Sequence, residues 1–298
     1  MSADAALAAI VAQELATPAP AAVTAVADAA RERHGHGVCA VLFYGSCLRD
    51  DYQAGLLVDL YLLVDDYAAV HRSAPMRWLN RLIPPNVYYA ETGHDGGVVR
   101  AKYALVSLSQ FEHRVGAATR NPYFWARFAQ PTGLVWSRDP ATGQRVRDAL
   151  VQAILTTDRA VRPLLADPSD ALAFWARAFA ESYRTELRAE KPHRAQAIVQ
   201  RESERYRRVM AALGTRPPDG DAVEAARRWR LRRVEGKALS VLRLIKASFT
   251  FAGGADYIAW KISRHAGVPV EFSPWERRHP ILAAPFVLWR LTRRGIVR

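Results

Sequence analysis

Val38 to Tyr44 is an apolar run rich in β-forming residues that ends at Gly45-Ser46. A second such run, Leu56 to Val64, follows with a single acidic residue, Asp59, embedded in it. This pairing constrains the chain more than any other feature. Short apolar runs bounded by turn residues predict two strands of one sheet. A carboxylate inside such a strand is costly to bury unless something positive neutralises it, and Mg²⁺ held between protein and a triphosphate is one such partner. The Gly-Ser turn is the matching half. A residue without a side chain lets backbone N–H groups approach phosphate oxygens, and the Ser46 hydroxyl adds a donor. Alone, the two halves describe an ordinary turn and an ion-paired Asp; together, in this order, they predict a site for a nucleotide's phosphates.

The chain has 298 residues, half of them hydrophobic, enough to bury a substantial core in two domains or in one with a large extension. No stretch approaches the run of about twenty apolar residues that spans a bilayer, and the first residues lack the basic-then-apolar layout of a signal peptide. The expected location is therefore the cytoplasm or the cytoplasmic face of a membrane. Cys39 and Cys47 show no metal-ligand spacing and are expected as reduced core residues, with Cys47 a candidate to line the nucleotide site.

The formal charge of +13 is unevenly placed: residues 1–170 hold 16 Lys+Arg against 17 Asp+Glu, and residues 171–298 hold 26 against 12. Such a field favours a polyanionic partner, whether nucleic acid, anionic lipid or phosphorylated substrate. Most of these cations are Arg, and an Ala- and Arg-rich composition is also what a GC-rich bacterial genome produces.

The segmentation predicts an α+β chain. Two short helices within residues 3–32 are broken at Thr17-Pro18-Ala19-Pro20. The two strands follow, then a helix from Ala68 to Leu82, stopped by Pro84-Pro85. Strands at Asn86–Glu91 and Val98–Leu108 are joined by a turn at Thr92–Gly97. The expected architecture is a small mixed sheet flanked by helices over residues 1–150, followed by a basic, mainly helical part over 151–298. Within the second part, a helix capped near Ser169 or Asp170 runs through Ser182-Tyr183-Arg184-Thr185-Glu186-Leu187-Arg188, with Glu186 and Glu190 one turn apart on one face. Gly253-Gly254, near Lys246 and Lys261, is either a phosphate-approach turn or a turn between helices. The C-terminal tail from Pro285 combines apolar bulk, Trp289 and several arginines. It suits the membrane interface, or else docks on the protein's own core.

Gly-Ser, a short helix, and a strand with an embedded acid resemble the nucleotidyltransferase superfamily of the DNA-polymerase-β type, in which that strand carries Asp-x-Asp or Asp-x-Glu. Here the second acidic position is Tyr61. Four further strings make the resemblance more specific: Tyr44-Gly45-Ser46, Pro85-Asn86-Val87-Tyr88-Tyr89, Lys102-Tyr103-Ala104-Leu105-Val106-Ser107, and Ser182 to Arg188. In this order, over about residues 40–265, they resemble the mitochondrial-type, peripheral phosphatidate cytidylyltransferases, the CDP-diacylglycerol synthases that also have bacterial relatives. The resemblance implies a nucleotidyltransferase-type fold and transfer of CMP from CTP to phosphatidate with Mg²⁺. It implies an anionic membrane surface as partner and no nucleic acid. Asp59 would hold the metal with Glu186 as second carboxylate, Lys102 would neutralise phosphate charge, and Tyr44, Gly45, Ser46, Arg188 and Lys246 would contact substrate.

Elementary chemistry accommodates the missing acid. Transfer to a hydroxyl needs a base or a second metal to deprotonate the attacking oxygen. A phosphate monoester, with its second pKa about 6, is already an oxyanion. Two alternatives remain: transfer to a hydroxyl acceptor such as an RNA end, a small molecule or a protein side chain, and a degenerate fold that binds lipid or nucleotide without chemistry.

Overall fold

The computed structural model describes residues 3–49, 55–187, 193–250, 253–266, 268–278 and 280–293. Five strands, β1 (Val38–Tyr44), β2 (Leu57–Val64), β3 (Asn86–His94), β4 (Gly97–Ser107) and β5 (Gly133–Ser137), form one mixed sheet in the order β3-β4-β2-β1-β5. β1 runs antiparallel to both β2 and β5, β3 antiparallel to β4, and β2 parallel to β4. The expected small mixed sheet flanked by helices, continued by a mainly helical C-terminal part, is the architecture found.

The central strands are apolar almost throughout because both faces of the sheet are covered. Side chains alternate along a strand, so Val58, Leu60, Leu62 and Val64 join one cluster with Val23, Val26 and Ala30 of the Ala21–His34 helix, while Tyr61 and Leu63 join the other. That second cluster, with Phe111, Trp125, Phe128, Ile154, Trp175, Tyr206 and Trp229, runs continuously from the sheet into the helical part. A boundary at residue 150 falls inside the Pro140–Val161 helix and inside this shared core. Asp59 and Lys102 have the same parity as Tyr61 and Ala104, which puts them on the helical side of the sheet.

Three elements differ from the sequence reading. The expected Ala68–Leu82 helix is two, Tyr67–Val70 and Ala74–Leu82. Asp66 caps the first, and Ser73 with Pro75 starts the second afresh. β5 lies where the sequence reading places no strand; it is a five-residue, half-buried edge strand, too short for a period-two pattern to stand out. Helix Ala171–Tyr183 ends before Glu186, which sits in the turn that follows. Arg188 and Glu190 lie outside the described residues.

His34 gives the fold an acid-sensitive point. Its ring meets Tyr88 and Tyr103 edge-on, and Nε2 lies 3.0 Å from the Tyr103 hydroxyl. Burial, then the charges of Arg33 and His71, lower its pKa to about 4. A histidine buried neutral must charge when the chain unfolds below its ordinary pKa. The unfolded state therefore binds more protons between about pH 6.5 and pH 4, and stability falls as pH drops through that window. We expect native stability to decline across it by up to about 2 kcal/mol from this residue, after allowance for its partial exposure. Urea denaturation should show a flatter pH profile in His34→Gln.

Candidate active site

β1 ends against the middle of the sheet, and its last residue, Tyr44, stands opposite Asp59 in the β1–β2 register. Gly45 then turns the chain with φ +91°, a conformation L side chains rarely adopt, and a Cβ there would lie 2.9 Å from Asp59 Oδ2. The turn and the carboxylate are in contact, so only glycine fits. Ser46 opens the one-turn helix Ser46–Arg49.

On the other side of Asp59, Lys102 is its register partner on the parallel neighbour β4, with Nζ 3.4 Å from Oδ1. The Asp59 carboxylate outweighs burial and holds the Lys102 ammonium above the ordinary lysine range, so the lysine stays charged. Tyr44 is pushed up to about 12 by burial and by Asp59, which keeps its hydroxyl neutral.

Tyr44, Gly45, Ser46 and Asp59 line one wall of an open cavity of about 160 Å³, and Ser182, Tyr183, Glu186 and Arg194 line another; Tyr123, Arg127 and Gln130 also line it. That volume is below the about 300–1,000 Å³ typical of small-molecule sites. Glu186 therefore reaches the same cavity as Asp59 across 127 residues of chain, although from a turn and not from a helix face.

Arg127 links the walls. Its guanidinium sits over the rings of Tyr123 (4.8 Å) and Tyr44 (5.6 Å) and lies 3.6 Å from Glu186 Oε1. Burial opposes its charge, but Tyr123, Tyr44, Tyr61 and Glu186 hold its pKa well above the ordinary value. Tyr123 is also covered by Arg243, 3.9 Å from the ring centroid. Burial would raise the Tyr123 pKa; Arg127 and Arg243 outweigh it and draw the pKa down. Sequence reasoning missed Arg127, Tyr123 and Arg194. One signal was available: Arg127 is the single cation of the aromatic string Tyr123-Phe124-Trp125-Ala126-Arg127-Phe128, an unusual place for an unpaired charge.

Position 61, where a second strand acid would stand, is fully buried. The Tyr61 ring meets Phe128 edge-on at 4.9 Å and Phe124 at 6.0 Å. Aromatic packing occupies that place, and the second carboxylate of the cavity comes from Glu186.

Lys246 is elsewhere. It is 5% exposed, and its Nζ donates to the carbonyls of Ile83 and Pro85, the latter at 2.8 Å, and to Asn80. It ties the Ala222–Thr250 helix to the loop before β3 and does not line the cavity. Gly253 has φ +81° and packs on Tyr89 in the turn between the Ala222–Thr250 and Gly254–Ala266 helices, which matches the helix-turn alternative. Both cysteines are buried and free. Cys47 donates to the Leu57 carbonyl (3.1 Å) beneath the sheet and is not among the cavity residues.

Among the described residues, no group of three or more His, Cys, Asp or Glu comes together. The donor set is Asp59 and Glu186, each already facing a cation. This does not suit a dedicated all-protein cage. It does suit Mg²⁺, which is commonly held by one or two carboxylates together with substrate phosphates. No known protein-family model matches the chain, and no curated protein matches it.

Proposed function

We propose that this chain is a Mg²⁺-dependent nucleotidyltransferase. The observation that carries the reading is the contact of Gly45 with Asp59 on one wall of a cavity also lined by Glu186, Arg127 and Arg194. A phosphate-approach turn, two carboxylates and several fixed cations are the parts that in-line phosphoryl chemistry requires.

The particular reaction we propose is CMP transfer from CTP to phosphatidate, giving CDP-diacylglycerol and pyrophosphate. A phosphate oxygen of phosphatidate forms the new bond to the α-phosphorus of CTP, the α–β phosphoanhydride breaks, and its electrons leave with pyrophosphate. The attacking oxygen is already anionic, so no side chain has to remove a proton. This agrees with an aromatic core at Tyr61 in place of an acid. Gly45 and Ser46 would approach the triphosphate, and Asp59 and Glu186 would hold the metal. When bound, Mg²⁺ supplies charge neutralisation on the phosphate oxygens. Lys102 keeps Asp59 oriented and adds positive potential, while Arg127 and Arg194 offset the charge of two anions brought together. The base, cytosine, and the lipid acceptor rest on the family resemblance.

Purified protein incubated with phosphatidate vesicles, Mg²⁺ and each nucleoside triphosphate in turn should form a lipid-linked nucleotide and pyrophosphate with CTP. Product on a hydroxyl acceptor in place of phosphatidate would move the assignment to a different nucleotidyltransferase. Failure to bind any Mg²⁺-nucleotide would leave a non-catalytic fold.

A further inference from the structure

Among the described residues no helix is long and apolar enough to cross a membrane, yet the Ala222–Thr250 helix has its polarity reversed from Arg232 onward. Its inner side carries cations: Arg232 Nε donates to the Arg120 carbonyl (3.0 Å), Arg243 Nε to the Pro84 carbonyl (3.0 Å), and Lys246 to the Pro85 carbonyl. Gly236 on this side lets the helix approach Thr185 so closely that a Cβ would lie 2.6 Å from the Thr185 carbonyl oxygen. The outer side is apolar. Val234, Val241, Ile245 and Phe249 follow one another at spacings of seven, four and four residues and therefore share one stripe, exposed by 68%, 41%, 53% and 75%. A water-facing helix has the opposite arrangement, cations out and apolar residues in.

We propose that this outer stripe is the surface by which the protein seats on an anionic lipid bilayer. Charge complementarity selects that occupant over an apolar protein partner. On the same side of the helix exposed Arg227, Arg230 and Lys237 are interspersed with these apolar residues, the mixture that interfacial helices present to acidic headgroups. The Pro280–Arg293 helix repeats the chemistry, with Phe286 and Trp289 exposed by 67% and 63% and Arg293 over the Trp289 ring, while Leu291 of the same helix is buried against the protein. The tail thus both docks on the chain and offers aromatics outward.

The stripe and the cavity lie on opposite sides of one helix, because Arg243 on the inner side covers Tyr123, a cavity residue. A bilayer on the outer side would be about one helix diameter, ~10 Å, from the cavity wall. The docking surface stands on the polarity reversal alone; its use to present a lipid phosphate to the cavity rests on the reaction proposed above.

The test is co-sedimentation of the full chain with vesicles of phosphatidylcholine and phosphatidylglycerol at 7:3, comparing the native protein with Ile245→Asp/Phe249→Asp. Both proteins are checked for an unchanged melting temperature. The double variant should lose affinity by at least about tenfold, since each side chain seated in the interface contributes a tenfold factor or more. Arg227→Glu/Lys237→Glu should bind weakly to the 7:3 vesicles and show no added loss on phosphatidylcholine alone. Equal sedimentation of native and Ile245→Asp/Phe249→Asp protein would overturn the proposal. So would absence of vesicle binding by the native chain together with a dimer in light scattering that the double variant converts to monomer, because the stripe would then be a contact between two copies. Mg²⁺-CTP binding, followed in parallel without lipid, separates failure of the docking surface from failure of the transferase reading.

Discussion

Replacing Asp59 with Asn stops nucleotidyl transfer, with turnover falling on the order of 10³-fold or more while the chain still folds. Asn has the same shape, so the contact with the Gly45 turn survives and only the charge is removed. Two things depend on that charge. One is the proposed metal, for which Asp59 would be the strand ligand. The other is Lys102, whose ammonium loses the carboxylate 3.4 Å away that raises its pKa. The pair is partly exposed, with Asp59 25% and Lys102 37% accessible, so its loss should cost only about 1 kcal/mol of stability. The measurement is CTP- and Mg²⁺-dependent product formation beside a thermal melt. Undiminished turnover in a folded Asp59→Asn protein would remove Asp59 from the mechanism. Lost turnover with unchanged Mg²⁺ dependence of CTP binding would leave it a charge-balancing group and not a ligand.

The sequence made the sheet side of this cavity visible and concealed the helical side, for a physical reason. Tyr44, Gly45 and Ser46 are consecutive, and Asp59 is the next strand's opposite number, so one hairpin-scale segment holds them in register. Lys102 was named through family resemblance, and the parallel pairing of β2 with β4 is what brings it level with Asp59. Glu186 could be named only through family resemblance, since nothing in residues 171–188 shows that their turn folds back over Ser46. Arg127 lies on the one-turn helix Trp125–Phe128, too short to carry a periodicity, and its role appears only when Tyr44 and Glu186 arrive from distant segments. Lys246 illustrates the converse. Next to a Gly pair in sequence it resembled a phosphate ligand, but three dimensions place its ammonium on the carbonyls of Ile83 and Pro85. Edge strand β5 escaped notice because five half-buried residues carry too little pattern to oppose the helical segments around them.

Arg127→Met should raise the KM for CTP and lower kcat/KM by about 10²–10³-fold, the cost of removing one preorganised cation from a site where charge gathers. In the resting site Arg127 lies 3.6 Å from Glu186 Oε1, with its guanidinium over the rings of Tyr123 and Tyr44. Such a guanidinium is always charged and offers a planar fork of donors, a geometry that matches phosphate oxygens better than an ammonium does. With substrate bound, Arg127 is expected to exchange its partner, turning from the Glu186 carboxylate toward phosphate and leaving Glu186 available for the metal. The alternative is that Arg127 merely neutralises Glu186. A double variant separates the two. Arg127→Met alone leaves Glu186 without its partner and should lower stability, and Arg127→Met/Glu186→Gln should restore the melting temperature because no unpaired carboxylate remains. If Arg127 acts on phosphate, the double variant regains stability and stays inactive, and Arg127→Lys keeps partial activity with a raised KM. A wild-type KM for CTP in Arg127→Met would refute the exchange and confine Arg127 to charge balance within the cavity wall.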